Sequence, residues 1–362
     1  MPDSLSASTK LYDSLIAIYN KLSALERQMI QIFAIAYEPI NRSIYFDCLL
    51  QLGLKDKDNK HFTDISLKGY IDRFLKLNLL TKDRAQGTQC HPYLIDIVIR
   101  DAVKSGQFEK IVTVIELQIP VPNYGRTDSR TFRSESQFIR EVRIGIYRQD
   151  IQFVAKQFDD FYRYGYSQQK ITLEAILYQV CSNHFDVEWF QTLNPEFYEI
   201  ALATILTNGM LKLKSTDEAF TLLLRGFQEN GDRCTEASLL VLMEQSLLRG
   251  NLQTAQSAYD RLSSSHKNAG DALLAWLYFL KGDREFAIGQ FRQSLKMIKK
   301  AIGKRQVYFS GEAGLFFILV LIQEGTVECM REAEGYTAIM AKQTNHWLQV
   351  TYSRLQKVLK FQ

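Results

Sequence analysis

The chain has 362 residues, 46% hydrophobic and 23% charged, with a formal net charge of +4. That balance argues against wholesale disorder and against a histone-like polycation, and the length predicts two or more packed units. Six prolines favour long helices. Five scattered cysteines (Cys48, Cys90, Cys181, Cys234, Cys329) contain no C-x-x-C pair, which fits a reducing, cytoplasmic setting better than a disulfide framework or zinc ribbon.

Met1 to Lys10 is polar and lacks the apolar core of a signal peptide. Leu11, Leu15, Ile18, Tyr19 and Leu22 follow at helical spacing. Ser23 with Glu26 makes a capping box for a second helix, whose apolar face is Leu25, Met29, Ile32, Phe33 and Ala36. A third helix carries Ile44, Leu49, Leu50 and Leu52 and stops at Gly53. Asp64 is expected to cap a fourth, with Leu67, Tyr70, Ile71, Phe74 and Leu75 inward. Leu77 to Thr81, a polar turn over 82–87, and Gln89 to Pro92 read as a β-hairpin wing, and a return helix runs from Tyr93 to Lys104. Residues 105–135, with Pro120, Pro122 and Gly125, read as a linker.

Beyond it a pattern repeats. Gly250-Asn251 precedes Ala255 and Tyr259; Gly282-Asp283 precedes Ala287 and Phe291, 32 residues on. A helix ends at each glycine, a small alanine lets the next helix pack, and an aromatic wedges into a neighbour. Weaker copies are expected at Ala155 with Phe158, Ala219 with Leu223, and Ala333 with Tyr336. The fold class expected is therefore all-α: a winged-helix-like domain over 1–104, a linker over 105–135, and tetratricopeptide-like helical repeats over 136–362. The apolar run Leu315 to Ile322 is too short to span a bilayer, so no membrane contact is expected.

The string "LNLL", a polar turn and "HP.L.D" resembles the winged-helix domains of signal-transduction ATPases, over residues 22–104. From Lys299, "KKAIGKRQVYFSGEAGLFFILVLI" is similar to the helical region that precedes the motor in bacterial Snf2-family helicases. That resemblance implies a module that regulates or targets a DNA-translocating motor, here without any ATPase motif.

Gly303-Lys304-Arg305 lacks the earlier glycine of a phosphate-binding loop, and neither H-E-x-x-H nor G-x-S-x-G occurs. Cys90 and His91 are neighbours on a strand and point to opposite faces. Asp159 and Asp160 diverge by about 100° on a helix and read as a solvated face. No catalytic residue, cofactor or metal is expected, and the chain reads as a non-enzymatic interaction scaffold with a protein partner.

The alternative is a nucleic-acid-binding regulator. Arg292, Lys296, Lys299, Lys300, Lys304 and Arg305 form a cationic ridge with no acid between them, suited to an acidic partner or to weak, sequence-independent nucleic-acid binding. On the winged helix, Lys68, Arg73 and Lys76 face outward on the fourth helix, joined by Lys82 and Arg84 of the wing. Asp64 and Asp72 among them argue for packing or protein contact over base reading.

Overall fold

The computed structural model describes all residues except 1, 84–86, 126–127, 165–170, 184, 230–233, 304–307, 310, 344–346 and 360–362. Among the described residues the regular structure is helical apart from one two-stranded hairpin and two isolated bridges. No helix among them is long and apolar enough to cross a membrane. Backbone contacts divide the chain into two compact units, Met1–Ala201 and Leu202–Gln362.

The first unit runs α1 (Pro2–Asn20), α2 (Ala24–Ala36), α3 (Arg42–Gln51), α4 (Asp64–Lys76), β1 (Leu80–Asp83), β2 (Gly87–Cys90) and α5 (Ile95–Lys104). It continues with α6 (Phe108–Gln118), α7 (Glu135–Arg148), α8 (Ile151–Tyr164), α9 (Leu173–Ser182), α10 (Val187–Phe190) and the start of α11 (Pro195–Leu211). The Ser23 box forms as read: the Glu26 carboxylate accepts from Ser23 N at 2.9 Å, and the Ser23 hydroxyl accepts from Glu26 N. Every residue of α2 from Met29 to Ala36 is buried. A helix apolar all round belongs at a centre, and α2 packs on α3, α5, α6, α7 and β2.

The cap of α4 is Thr63, not Asp64. Thr63 and Ser66 exchange backbone-to-hydroxyl hydrogen bonds at 2.9 and 3.2 Å. Asp64 falls in the first turn, where it pairs with Arg42 at 3.0 Å. In the hairpin, Leu80 lies opposite Cys90. Ile40 extends the hairpin by an antiparallel bridge to Thr88, with both N–H···O bonds made (2.9 and 3.0 Å). This closeness requires glycine at position 87, where φ is +120° and a Cβ would lie 2.6 Å from the Ile40 carbonyl oxygen.

Inside the stretch expected as a linker lies α6. Phe108, Ile111, Val112, Val114 and Ile115 are buried, and the helix packs on α2, α3 and α5. Its apolar spacing was in the sequence, overshadowed by the prolines that follow. Residues 105–135 thus belong to the body of the first unit, and the division between units falls within α11.

The second unit continues with α12 (Asp217–Glu229), α13 (Glu236–Leu248), α14 (Leu252–Arg261), α15 (Ser264–Leu280) and α16 (Arg284–Ile302), then α17 (Gly311–Glu324), α18 (Val327–Gln343) and α19 (Trp347–Leu359). Pairs α13–α14, α15–α16 and α17–α18 are antiparallel hairpins, and their first helices also pack in series, α13 on α15 and α15 on α17. The two strong sequence matches close identically. Gly250 and Gly282 take φ of +72° and +90°. Asn251 N donates to Ser246 O at 2.8 Å, and Asp283 N to Tyr278 O at 3.0 Å. The Asn251 and Asp283 side chains then cap the next helix. Ala255 and Ala287 are fully buried. Tyr259 reaches Asp271 of α15 at 3.3 Å, and the Phe291 ring meets Phe317 of α17 at 5.2 Å. Ala219, Leu223, Ala333 and Tyr336 are buried as expected. Ala155 is exposed and Val154 takes the buried position, so α8 does not carry the pattern.

Candidate functional site

The cleft of interest is built by three segments of the first unit. The turn into α3 brings Ile40, Asn41 and Arg42; the middle of α4 brings Lys68, Ile71 and Asp72; the hairpin brings Lys82, Gly87 and Thr88. The volume is about 380 Å³, within the range of small-ligand or side-chain pockets. Phe33, Ile40, Tyr45 and Ile71 make an apolar floor and are buried. The Tyr45 hydroxyl donates to the Met29 carbonyl oxygen at 3.1 Å, away from solvent.

The rim holds the cations. Lys68 and Lys82 are exposed and make no ion pair among the described residues, whereas Arg42 is engaged by Asp64. Of the other residues singled out on the wing and its helix, Lys76 is exposed. Arg73 is not a free cation, because it pairs with Glu26. Burial alone would raise the Glu26 carboxyl; hydrogen bonds from Ser23 and the charge of Arg73 overcome it and hold the carboxyl below its usual value. Arg84 lies outside the described residues.

The ridge on α16 is narrower than the sequence implies. Lys296, Lys299 and Lys300 are exposed without an ion pair among the described residues. Arg292 is drawn off by Glu332 of α18 at 2.6 Å and by Glu328 at 3.8 Å. The hydrogen bond to Glu332 raises its pKa further, against desolvation. The acids missing from the linear stretch arrive from the next hairpin. Lys304 and Arg305 lie outside the described residues.

The Cys90–His91 pair makes no dyad. Cys90 is buried, its Sγ donates to the His91 carbonyl oxygen at 3.7 Å, and burial pushes the thiol well above its usual value. Burial lowers the His91 pKa. Asp159 is exposed and pairs with Arg163, but Asp160 is not on a solvated face. It is 3% exposed and accepts from Arg130 N at 3.0 Å.

Arg140, Arg143 and Arg148 of α7 belong to a second basic stretch of the sequence, diluted by Glu135 and Glu141. Arg140 is fully buried; it bonds Glu38 at 2.7 Å, Glu141 at 2.9 Å and the Ile119 carbonyl oxygen at 2.9 Å. Arg143 pairs with Asp96, which also accepts from Tyr147 at 3.1 Å. These ion pairs lie inside the fold of the first unit.

No protein-family model matches the chain, and neither the curated proteins nor the solved structures compared with it include a significant match.

Proposed function

We propose that the chain is a non-catalytic interaction scaffold: tetratricopeptide-like hairpins in the second unit present a repeated surface to a protein partner. The observation that carries this reading is a repeated exposed residue. Leu248 and Leu280 stand at the same register, each ending the first helix of its hairpin, and are 37% and 38% exposed. Two successive hairpins that each leave an apolar side chain in solvent at the same register offer a spaced binding surface.

In the first unit the order α2, Ile40 bridge, α3, α4, hairpin supports a winged-helix reading, with α4 where a recognition helix would lie. Asp64 and Asp72 favour protein contact there over base reading. Service to a DNA-translocating motor rests on the Snf2-like segment alone. Phe317, Ile318, Val320 and Leu321 of that segment are core, so packing by itself accounts for its apolar pattern.

The test is site-specific photocrosslinking in cells of the source organism, with a photoreactive residue in turn at Leu248, Leu280 and, as control, the exposed Gln293 of α16. One partner band captured from both leucine positions and absent from Gln293 is expected. Equal labelling at all three, or none at the leucines, overturns the scaffold reading.

A further inference from the structure

The exposed side of α4 carries features that its own fold does not use. Gly69 sits in mid-helix; a Cβ there would meet nothing within 4 Å, and its backbone is not in the left-handed region. Glycine is the poorest helix former after proline, so neither packing nor backbone geometry asks for it. One turn earlier, Ile65 is 85% exposed. Next to Gly69 in sequence, Lys68 stands on the rim of the cleft described above, which has an apolar floor and Lys82 on its rim as well.

A helix lacking a side chain at an exposed point lets another backbone approach closely. An apolar floor whose tyrosine hydroxyl is already bonded to Met29 takes an apolar side chain. Two lysines without ion pairs among the described residues, one on α4 and one on the hairpin, take two separate anions. Asp72, on the same rim and one turn from Lys68, breaks the positive field between them. That interruption suits discrete carboxylates and disfavours a continuous phosphodiester chain, which also gains nothing from the floor.

We infer that this face docks a short acidic segment of a partner protein: its backbone crosses Gly69, one apolar side chain enters the cleft, and flanking carboxylates meet Lys68 and Lys82. The site lies in the first unit and does not depend on the hairpin reading of the second.

The test probes the full chain against an array of short peptides, each with one leucine or phenylalanine flanked by every combination of glutamate, serine and lysine. The strongest peptide is then titrated by fluorescence polarisation. Glutamate-flanked peptides should bind and lysine-flanked ones should not. The double variant Lys68→Glu, Lys82→Glu should weaken binding by about tenfold or more, as two lost charge-assisted contacts predict. Gly69→Gln should weaken it as much while its melting temperature holds or rises, because the new side chain meets no neighbour and improves helix propensity. Absence of binding across the array, indifference to the sign of the flanking charge, or wild-type binding by Gly69→Gln each overturns the proposal. So does binding of a short DNA duplex, lost in these variants, with no peptide bound: the face would then belong to nucleic acid.

Discussion

Arg143 and Asp96 are 47 residues apart in sequence and almost entirely buried, with side chains 3% and 4% exposed. A buried charge is tolerable only beside its partner, and removing one member leaves the other in a low-dielectric interior. Arg143→Ala should therefore cost about 3–5 kcal/mol, read as a lower denaturation midpoint of the first unit. A loss under about 1 kcal/mol, the value typical of exposed pairs, would mean water reaches Asp96. Glu244 of α13 is the opposite case. Burial, and then the nearby carboxylate of Glu312, push its pKa from the ordinary 4.5 to about 7. The folded state thus holds a proton that the unfolded chain has released, so stability is full below about pH 4.5 and is lost as pH rises through about 7. Glu244→Gln should remove a penalty on the order of 1–3 kcal/mol at pH 8 and change little near pH 4.5. Thermal melts of both proteins at the two pH values decide it: a gap that fails to widen at pH 8 contradicts the raised pKa.

The elements divide by how local their causes are. The Ser23–Glu26 box and the Gly250 and Gly282 turns depend on residues within one turn of each other, and the sequence alone locates them. The hairpin is likewise legible, because turn residues separate two short strands. The α6 helix is missed because Pro120 and Pro122 dominate its neighbourhood, although Phe108, Ile111, Val112 and Ile115 already share one face. The pairing of Arg292 with Glu332, 40 residues away, is invisible until α18 packs beside α16. The cleft is hidden for the same reason: its walls come from three segments, and no one of them has a motif. A turn between α11 and α12 shows local rules overridden. Leu213 takes the left-handed conformation (φ 54°), and Lys214 N donates to Gly209 O at 2.8 Å, the same closure that Gly250 and Gly282 make. Leu213 is 71% exposed, so packing does not reward the strain. Leu213→Gly should stabilise the second unit by about 0.5–1 kcal/mol, the left-handed penalty less the entropy that glycine adds to the unfolded chain. An unchanged or lower melting temperature would show that the Leu213 side chain contributes contacts in solution.

For the whole molecule, the question is how much of its positive charge is free to attract a polyanion. The net charge of +4 supplies little long-range steering. Six residues of the α16 ridge would give a log–log salt slope near −5 on duplex DNA, since each neutralised phosphate releases about 0.9 of a counterion. The structure removes Arg292 from that set; the five cations left, Lys296, Lys299, Lys300, Lys304 and Arg305, predict a slope near −4.5, of which Lys296, Lys299 and Lys300, with no ion pair among the described residues, supply about −3. Duplex binding should therefore be weak, sequence-independent and no steeper than this. Reversal of the three lysines to glutamate should abolish it with little change in melting temperature, because exposed lysines contribute little to stability. A slope near −5 that persists after the reversal would place the nucleic-acid surface elsewhere on the chain. Absence of binding even at low salt would leave the ridge to an acidic protein surface, whose spaced carboxylates can meet three lysines clustered within about one helical turn without needing a continuous field.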